Sequence, residues 1–238
     1  MNTSQLHHRG RLMAAAVAAA LTTAAVILAV VATASQHHPA SPPPSAAHLA
    51  QERAVGEATS TTPPSTGTSR RSGDTAVVGS VLGRSLPVSL DVPRIGITGA
   101  RLVRLGLARD GSIQVPALGA NSPAGWYSGS PTPGSLGPSV ILGHVDSASA
   151  GPAIFFRLGT LRPGDTAMVT RADHSVAVFR VDSVEQYSKS KFPTLQVFGN
   201  TDHAALRLIT CGGTFDPVTG SYESNVVVYA HLTSSHRA

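Results

Sequence analysis

From about Ala76 onward the apolar residues of this chain come only in short runs, each cut off by a turn signal. Val140-Ile141-Leu142, Ala167-Met168-Val169, Val176 to Val181, Leu206 to Ile209 and Val226 to Tyr229 are all of strand length and rich in β-branched residues. Asp110-Gly111, Pro133-Gly134, Pro163-Gly164-Asp165 and Thr219-Gly220 mark turns between such runs. Ser89-Leu90-Asp91-Val92 runs into Pro93, after which Ile95 and Ile97 alternate with small residues. Helical reading is confined to short segments around Pro123 to Ser128, Ala153 to Leu161 and Phe192 to Phe198. The pattern predicts one mostly-β domain over residues 79–238 with short helices, closed into a barrel because closure removes exposed strand edges.

The N-terminus predicts where this domain works. Leu12 to Ala34 carry no charge and, apart from Thr22, Thr23 and Thr33, are apolar, with His7, His8, Arg9 and Arg11 just before them. A run of roughly 20 apolar residues spans a bilayer core, and flanking arginines hold residues 1–11 in the cytoplasm. The expectation is a single-pass cell-membrane signal anchor with the remainder extracytoplasmic. A cleavable signal peptide ending at Ala32-Thr33-Ala34 is the competing reading, and it too exports the domain. Residues 35–78 are rich in Pro, Ser, Thr, Ala and Gly, a composition that buries too little apolar area to offset its ordering entropy and so reads as a disordered tether.

Charge argues against one class of partner. The formal net charge is +5, yet the basic residues are scattered, with no run beyond Arg70-Arg71 and no interleaved aromatics to stack on bases. Nucleic-acid binding needs a concentrated basic patch, so no nucleic acid is expected.

The sharpest chemical clue is a cysteine count of one. Exported chains usually pair their cysteines, and an unpaired one is either a small buried hydrophobe or a reactive thiol. Cys211 ends the run Leu206-Arg207-Leu208-Ile209-Thr210 and is followed at once by Gly212-Gly213. That places it at the lip of a strand beside two residues without side chains, where a substrate can reach it. A thiol nucleophile needs a base, because its free pKa lies near about 8.5. Of His144, His174, His203, His231 and His236, only His144 closes an apolar strand as Cys211 does, within Ile141-Leu142-Gly143-His144-Val145-Asp146.

These residues carry a family resemblance. Leu208-Ile209-Thr210-Cys211 resembles the Leu-x-Thr-Cys signature of the sortases, and Gly143-His144-Val145-Asp146 resembles their histidine motif. Leu90 to Ile97, Gly125-Trp126-Tyr127, Phe155 to Asp165 and Tyr222 to Ala230 extend the likeness from about Leu86 to Leu232. Gly212-Gly213 with Phe215-Asp216 beyond is most similar to class F sortases of actinobacteria, and the arginine-over-lysine bias suits such a source. The resemblance implies an eight-stranded barrel and a cysteine transpeptidase. Such an enzyme cuts a Leu-Pro-x-Thr-Gly sorting signal between Thr and Gly through a thioester on Cys211, with His144 as acid and then base. The acyl group passes to an amine of a cell-wall precursor or a pilin lysine. The loop around Phe192-Pro193-Thr194-Leu195 matches the one that walls the substrate groove in sortases.

One departure stands out. Sortases usually carry an arginine on the strand after the cysteine, where this chain has Asn225. Arg207 shares a face with Ile209 and Cys211 by the period-two rule and is an alternative substrate or oxyanion ligand, with Arg157 a third. No metal-ligand spacing occurs and the acidic residues are spread singly, so neither metal nor cofactor is expected. Two rival functions follow from the same features. An L,D-transpeptidase would place His and Gly directly before the cysteine, whereas here Ile209-Thr210 precede it. A non-catalytic tethered envelope-binding β-domain, or an inactive sortase homologue, would leave Cys211 inert to alkylating agents.

Overall fold

The structure, a computed structural model, describes residues 80–119 and 121–238. The membrane anchor expected over Leu12 to Ala34 and the tether over residues 35–78 lie outside the described residues. Among the described residues, no helix is long and apolar enough to cross a membrane.

The strands in chain order are β1 (Pro87–Val92), β2 (Ile97–Leu105), β3 (Ala124–Tyr127), β4 (Gly137–Leu142), β5 (Asp146–Ser147), β6 (Gly151–Pro152), β7 (Thr166–Arg171), β8 (Ser175–Ser188), β9 (Ala204–Asp216) and β10 (Ser221–Arg237). One short helix, α1 (Thr194–Phe198), interrupts the connection from β8 to β9. Eight strands close into a barrel in the order β1-β2-β3-β4-β9-β10-β8-β7, and β5 and β6 form a separate two-stranded ribbon. The mostly-β closed barrel expected from the sequence is what forms. Two joins in it are parallel, β2 with β3 and β4 with β9, and the rest are antiparallel.

Alternation along the strands fills the interior. Leu90 and Val92, Val169, Phe179, Leu206 and Leu208, and Val226 and Val228 all point inward and are almost fully buried. Phe155, Leu158 and Leu161 join this core from the β6–β7 connection. Burial of this kind is worth about 3–5 kcal/mol for a phenylalanine such as Phe155, read as the cost of truncating it to alanine.

Two of the three expected helices differ. The segment Pro123 to Ser128 is not helical: Ala124–Tyr127 is β3, pairing with β2 on one side and β4 on the other. Trp126 anchors it, buried in the core with its indole N–H donating to the Pro131 carbonyl at 3.1 Å. A Cβ on Gly125 would sit 2.6 Å from the Leu105 side chain, so the close approach of β2 needs glycine there. The segment Ala153 to Leu161 contains only a 3-10 turn, Leu158–Thr160. The spacing of three between Phe155, Leu158 and Leu161 fits that tighter winding, in which side chains three apart eclipse. The third expected helix, Phe192 to Phe198, contains α1.

Candidate active site

The site is built by three neighbouring strands. On β9 the even residues Leu206 and Leu208 enter the core, so Arg207, Ile209 and Cys211 face outward. Residues directly opposite each other on paired strands share a face. In the antiparallel pairing with β10, Cys211 stands opposite Asn225, Ile209 opposite Val227 and Arg207 opposite Tyr229. In the parallel pairing with β4, Ile209 stands beside Leu142 and Arg207 beside Val140. The Gly143 N–H donates to the Ile209 carbonyl at 3.1 Å, the bond that closes the Leu142–Ile209 pair. His144 lies two residues past Leu142, where β4 ends, at the end of the sheet toward which β9 runs to Cys211. Cys211 and Asn225 form one row on the outer face, His144 lies in the loop just past the end of β4, and all three are half-buried.

Local packing fixes both His144 and Cys211. A Cβ on Gly143 would come within 2.6 Å of the Phe155 ring, so the corner carrying His144 can press against the core only as glycine. The His144 Nε2 lies 2.7 Å from the Pro116 carbonyl of the β2–β3 connection. A carbonyl only accepts, so Nε2 carries the proton and Nδ1 is the ring nitrogen left to act as a base. Beyond Cys211, a Cβ on Gly212 would meet Val226 at 2.7 Å, and Gly213 has φ +78°, a left-handed value that disfavours other residues.

The hairpin beyond the cysteine folds over the histidine loop. Its turn is capped by Asp216, which accepts from the Val218 N–H at 2.8 Å and the Thr219 hydroxyl at 2.9 Å, bonds that hold its carboxyl below the usual range. Phe215 meets Tyr222 edge to face at 5.2 Å. The Tyr222 hydroxyl donates to Asp146 Oδ2 at 2.5 Å, joining the hairpin to β5, which begins two residues after His144. Burial, then the Asp146 carboxylate, then Cys211 raise the Tyr222 phenol above its ordinary pKa, so it remains a donor at neutral pH.

The row at the other end of the same face is closed. Arg207 is only 6% exposed, with its guanidinium stacked 4.4 Å over the Tyr229 ring and Nη1 donating to the Leu206 carbonyl at 3.2 Å. Its Nε is buried without a partner, and burial lowers its pKa. The Tyr229 hydroxyl lies 3.2 Å from that of Tyr187 on β8, which also accepts from Gln196 Nε2 of α1 at 3.1 Å. Above the middle row, Val197 of α1 packs with Val140, Ile209 and Val227 in an apolar cluster distinct from the barrel core, flanked by Phe192 and Phe198. The β8–β9 connection is therefore a strap laid over the outer face, leaving the Cys211 row at the open end.

The "Sortase domain" family model matches residues 90–233, most of the barrel and both motifs. The chain belongs to the sortase family. Among solved structures, sortase A of Listeria monocytogenes is 16% identical, covering 65% of this chain and 91% of its own, with a TM-score of 0.46. The SrtA sortase of Actinomyces oris is 20% identical, covering 71% and 91%, with a TM-score of 0.45. Sortase A of Corynebacterium diphtheriae is also 20% identical, covering 64% and 62%, with a TM-score of 0.45. No curated protein matches the sequence.

Of the residues singled out from sequence, Cys211 and Asn225 stand opposite each other and His144 lies just past the end of neighbouring β4, whereas Arg207 lies two rows from Cys211 under the strap. Arg157 is exposed and precedes the 3-10 turn. Phe192 to Leu195 lie in the strap, with Phe192 packed against the apolar cluster beneath it. Sequence reading passed over Tyr222 and Pro116. Tyr222 bonds a residue 76 positions away, and Pro116 contributes a backbone carbonyl, which no side-chain pattern announces. Among the described residues no group of three or more His, Cys, Asp and Glu is placed to hold a metal.

Proposed function

We propose that this sortase is an active cysteine transpeptidase. It cleaves a Leu-Pro-x-Thr-Gly sorting signal between Thr and Gly and passes the acyl group to an amine of a cell-wall precursor or a pilin lysine. What supports this reading is the pairing of Cys211 with Asn225 at the end of β9 that the strap leaves uncovered, with His144 just past the end of the adjoining β4. The Cys211 thiolate attacks the Thr carbonyl carbon, and the carbonyl oxygen takes the negative charge. Protonated His144 gives its proton to the glycine nitrogen as the C–N bond breaks, leaving a thioester and a neutral imidazole. An amine then attacks the thioester and gives a proton to His144. The C–S bond breaks, restoring thiolate and imidazolium.

Asn225, opposite Cys211, is the side chain placed to donate to the oxyanion. Arg207, four positions before the thiol on the strand, is about 13 Å away, too far to serve the oxyanion. Gly212-Gly213 and Phe215-Asp216 support a class F, actinobacterial assignment. Leu12 to Ala34 support membrane anchorage, with residues 35–78 as the arm that holds the domain out into the envelope. Protease added to intact cells should remove the barrel while the anchor stays with the membrane fraction, and a secreted form starting at Ser35 would show cleavage after Ala34 instead.

The deciding experiment incubates the full chain in detergent with a Leu-Pro-x-Thr-Gly peptide library and an amine, then reads products by mass. A covalent adduct on Cys211 and an amine-capped Thr product are expected. A thiol that forms no adduct and ignores alkylating agents would leave a non-catalytic envelope-binding domain as the reading.

A further inference from the structure

The chemistry at the thioester needs a second substrate, and the structure contains a carboxylate that nothing in the acylation step uses. Asp146 is half-buried, begins β5 two residues after His144, and accepts one bond, from Tyr222, through Oδ2. Among the described residues it takes part in no ion pair; the acids that do are Asp173, Asp182 and Asp202. A partly desolvated carboxylate without a cation is costly unless something compensates it. It is also held in place: Tyr222 fixes one oxygen, and the Phe215 ring packs edge-on against Tyr222 at 5.2 Å.

We infer that Asp146 binds the ammonium group of the acceptor, resting on the transpeptidase reading above and adding to it the residue that recruits the second substrate. An ammonium acceptor is drawn by a local anion near the reacting thioester, and Asp146 is a carboxylate in the segment that carries His144. The Tyr222 bond engages Oδ2, so Oδ1 is the oxygen proposed to take the ligand. Asp146 lies two residues beyond His144 in the same segment, which keeps an ammonium bound there close to the loop that carries the base. The bound ammonium first loses one proton to water. The neutral amine then attacks the thioester carbon, its second proton passes to His144 Nδ1, and the Cys211 thiolate leaves. One C–N bond forms and one C–S bond breaks.

The test is a competition within one reaction. The full chain in detergent receives a Leu-Pro-x-Thr-Gly peptide with triglycine, whose amine is an ammonium at pH 6.5, and hydroxylamine, which is mostly uncharged there. The ratio of triglycine-capped to hydroxamate product is read by mass. Asp146→Asn should lower that ratio at least tenfold, and Asp146→Glu should bring it back to within about threefold of wild type. The ratio is independent of how much enzyme folds or acylates, so it separates acceptor binding from loop support. An unchanged ratio in Asp146→Asn, even with both products reduced, overturns the inference and makes Asp146 a structural partner of Tyr222. A wild type that forms no acyl-enzyme from any peptide overturns the transpeptidase reading and this one with it, whereas an acyl-enzyme whose ratio ignores Asp146 overturns this one alone.

Discussion

Cys211 and Arg207 occupy the same strand and the same outer face, yet the fold treats them oppositely. Cys211 is half-buried at the uncovered end of the face, with glycines after it, the Asn225 amide opposite it, and His144 just past the end of neighbouring β4. Arg207 sits in a row sealed by Tyr229 and roofed by the strap, with its charge desolvated and its Nε unpartnered. The difference lies above the strand, not in it. β9 supplies the same alternation throughout, and α1 covers one end and leaves the other open. Reactivity here follows from where the strap stops.

The widest gap between the two rows should appear on mutating the open one. Cys211→Ala and His144→Ala should each reduce acyl transfer by about a thousandfold or more while leaving the thermal midpoint within a few degrees of wild type, since neither side chain belongs to the core. Turnover and differential scanning calorimetry on the same preparations check both halves. Near wild-type turnover in either variant would remove that residue from the mechanism.

Asn225→Ala should come next, with kcat down about 100-fold and KM little changed, because the amide contributes when charge develops on the carbonyl oxygen. A neutral donor is weaker there than a guanidinium, so Asn225→Arg is an informative companion. A rise in kcat would show that the row tolerates the charge that most sortases place after the cysteine. If Asn225→Ala behaves as wild type, the backbone N–H groups near Gly212 and Gly213 are left to hold the oxyanion.

Arg207 tests the closed row, and there the readout shifts from turnover to stability. Arg207→Ala strips the Tyr229 face and opens space beneath the strap, which should cost about 2–3 kcal/mol in denaturant unfolding. Arg207→Met keeps most of the stem and removes a desolvated charge, so it should stay within about 1 kcal/mol of wild type or rise above it. A large kcat loss in Arg207→Met, with stability intact, would instead give the guanidinium a direct role in turnover and erase the contrast between the rows.

How much of this was legible in the sequence depends on the range of the interaction concerned. Cys211 and His144 could be found because each closes an apolar run beside glycine, a local pattern. Asn225 could be placed by counting back around the Thr219-Gly220 turn. The burial of Arg207 could not, because period two gives the face of a strand and not what a distant connection lays across it. The β3 segment was misread for a similar reason. Four residues with a glycine among them carry little strand signal of their own, and what makes them a strand is pairing with β2 and β4 on either side. The Tyr222–Asp146 bond spans 76 positions, and neither residue type at those places points to the other.

The finest test concerns the boundary between the two rows, where Tyr187 stands. It lies opposite Asn225 in the β8–β10 pairing, yet its hydroxyl reaches toward the closed row, meeting Tyr229 at 3.2 Å and Gln196 of the strap at 3.1 Å. Tyr187→Phe keeps the ring and its edge-to-face contact with Phe192 at 6.0 Å, removing only the bond that ties α1 down. The exposed Gln196 can turn to water, but the half-buried Tyr229 hydroxyl loses its partner. The cost should be about 1 kcal/mol, a fall of about 2–4 °C in midpoint. Loosening the strap should raise KM for the sorting peptide about two- to fivefold and leave kcat alone, because the row that carries the chemistry is untouched. A fall in kcat at constant KM would mean that the strap orders the Cys211 row as well, and that the open end of the face depends on the closed one.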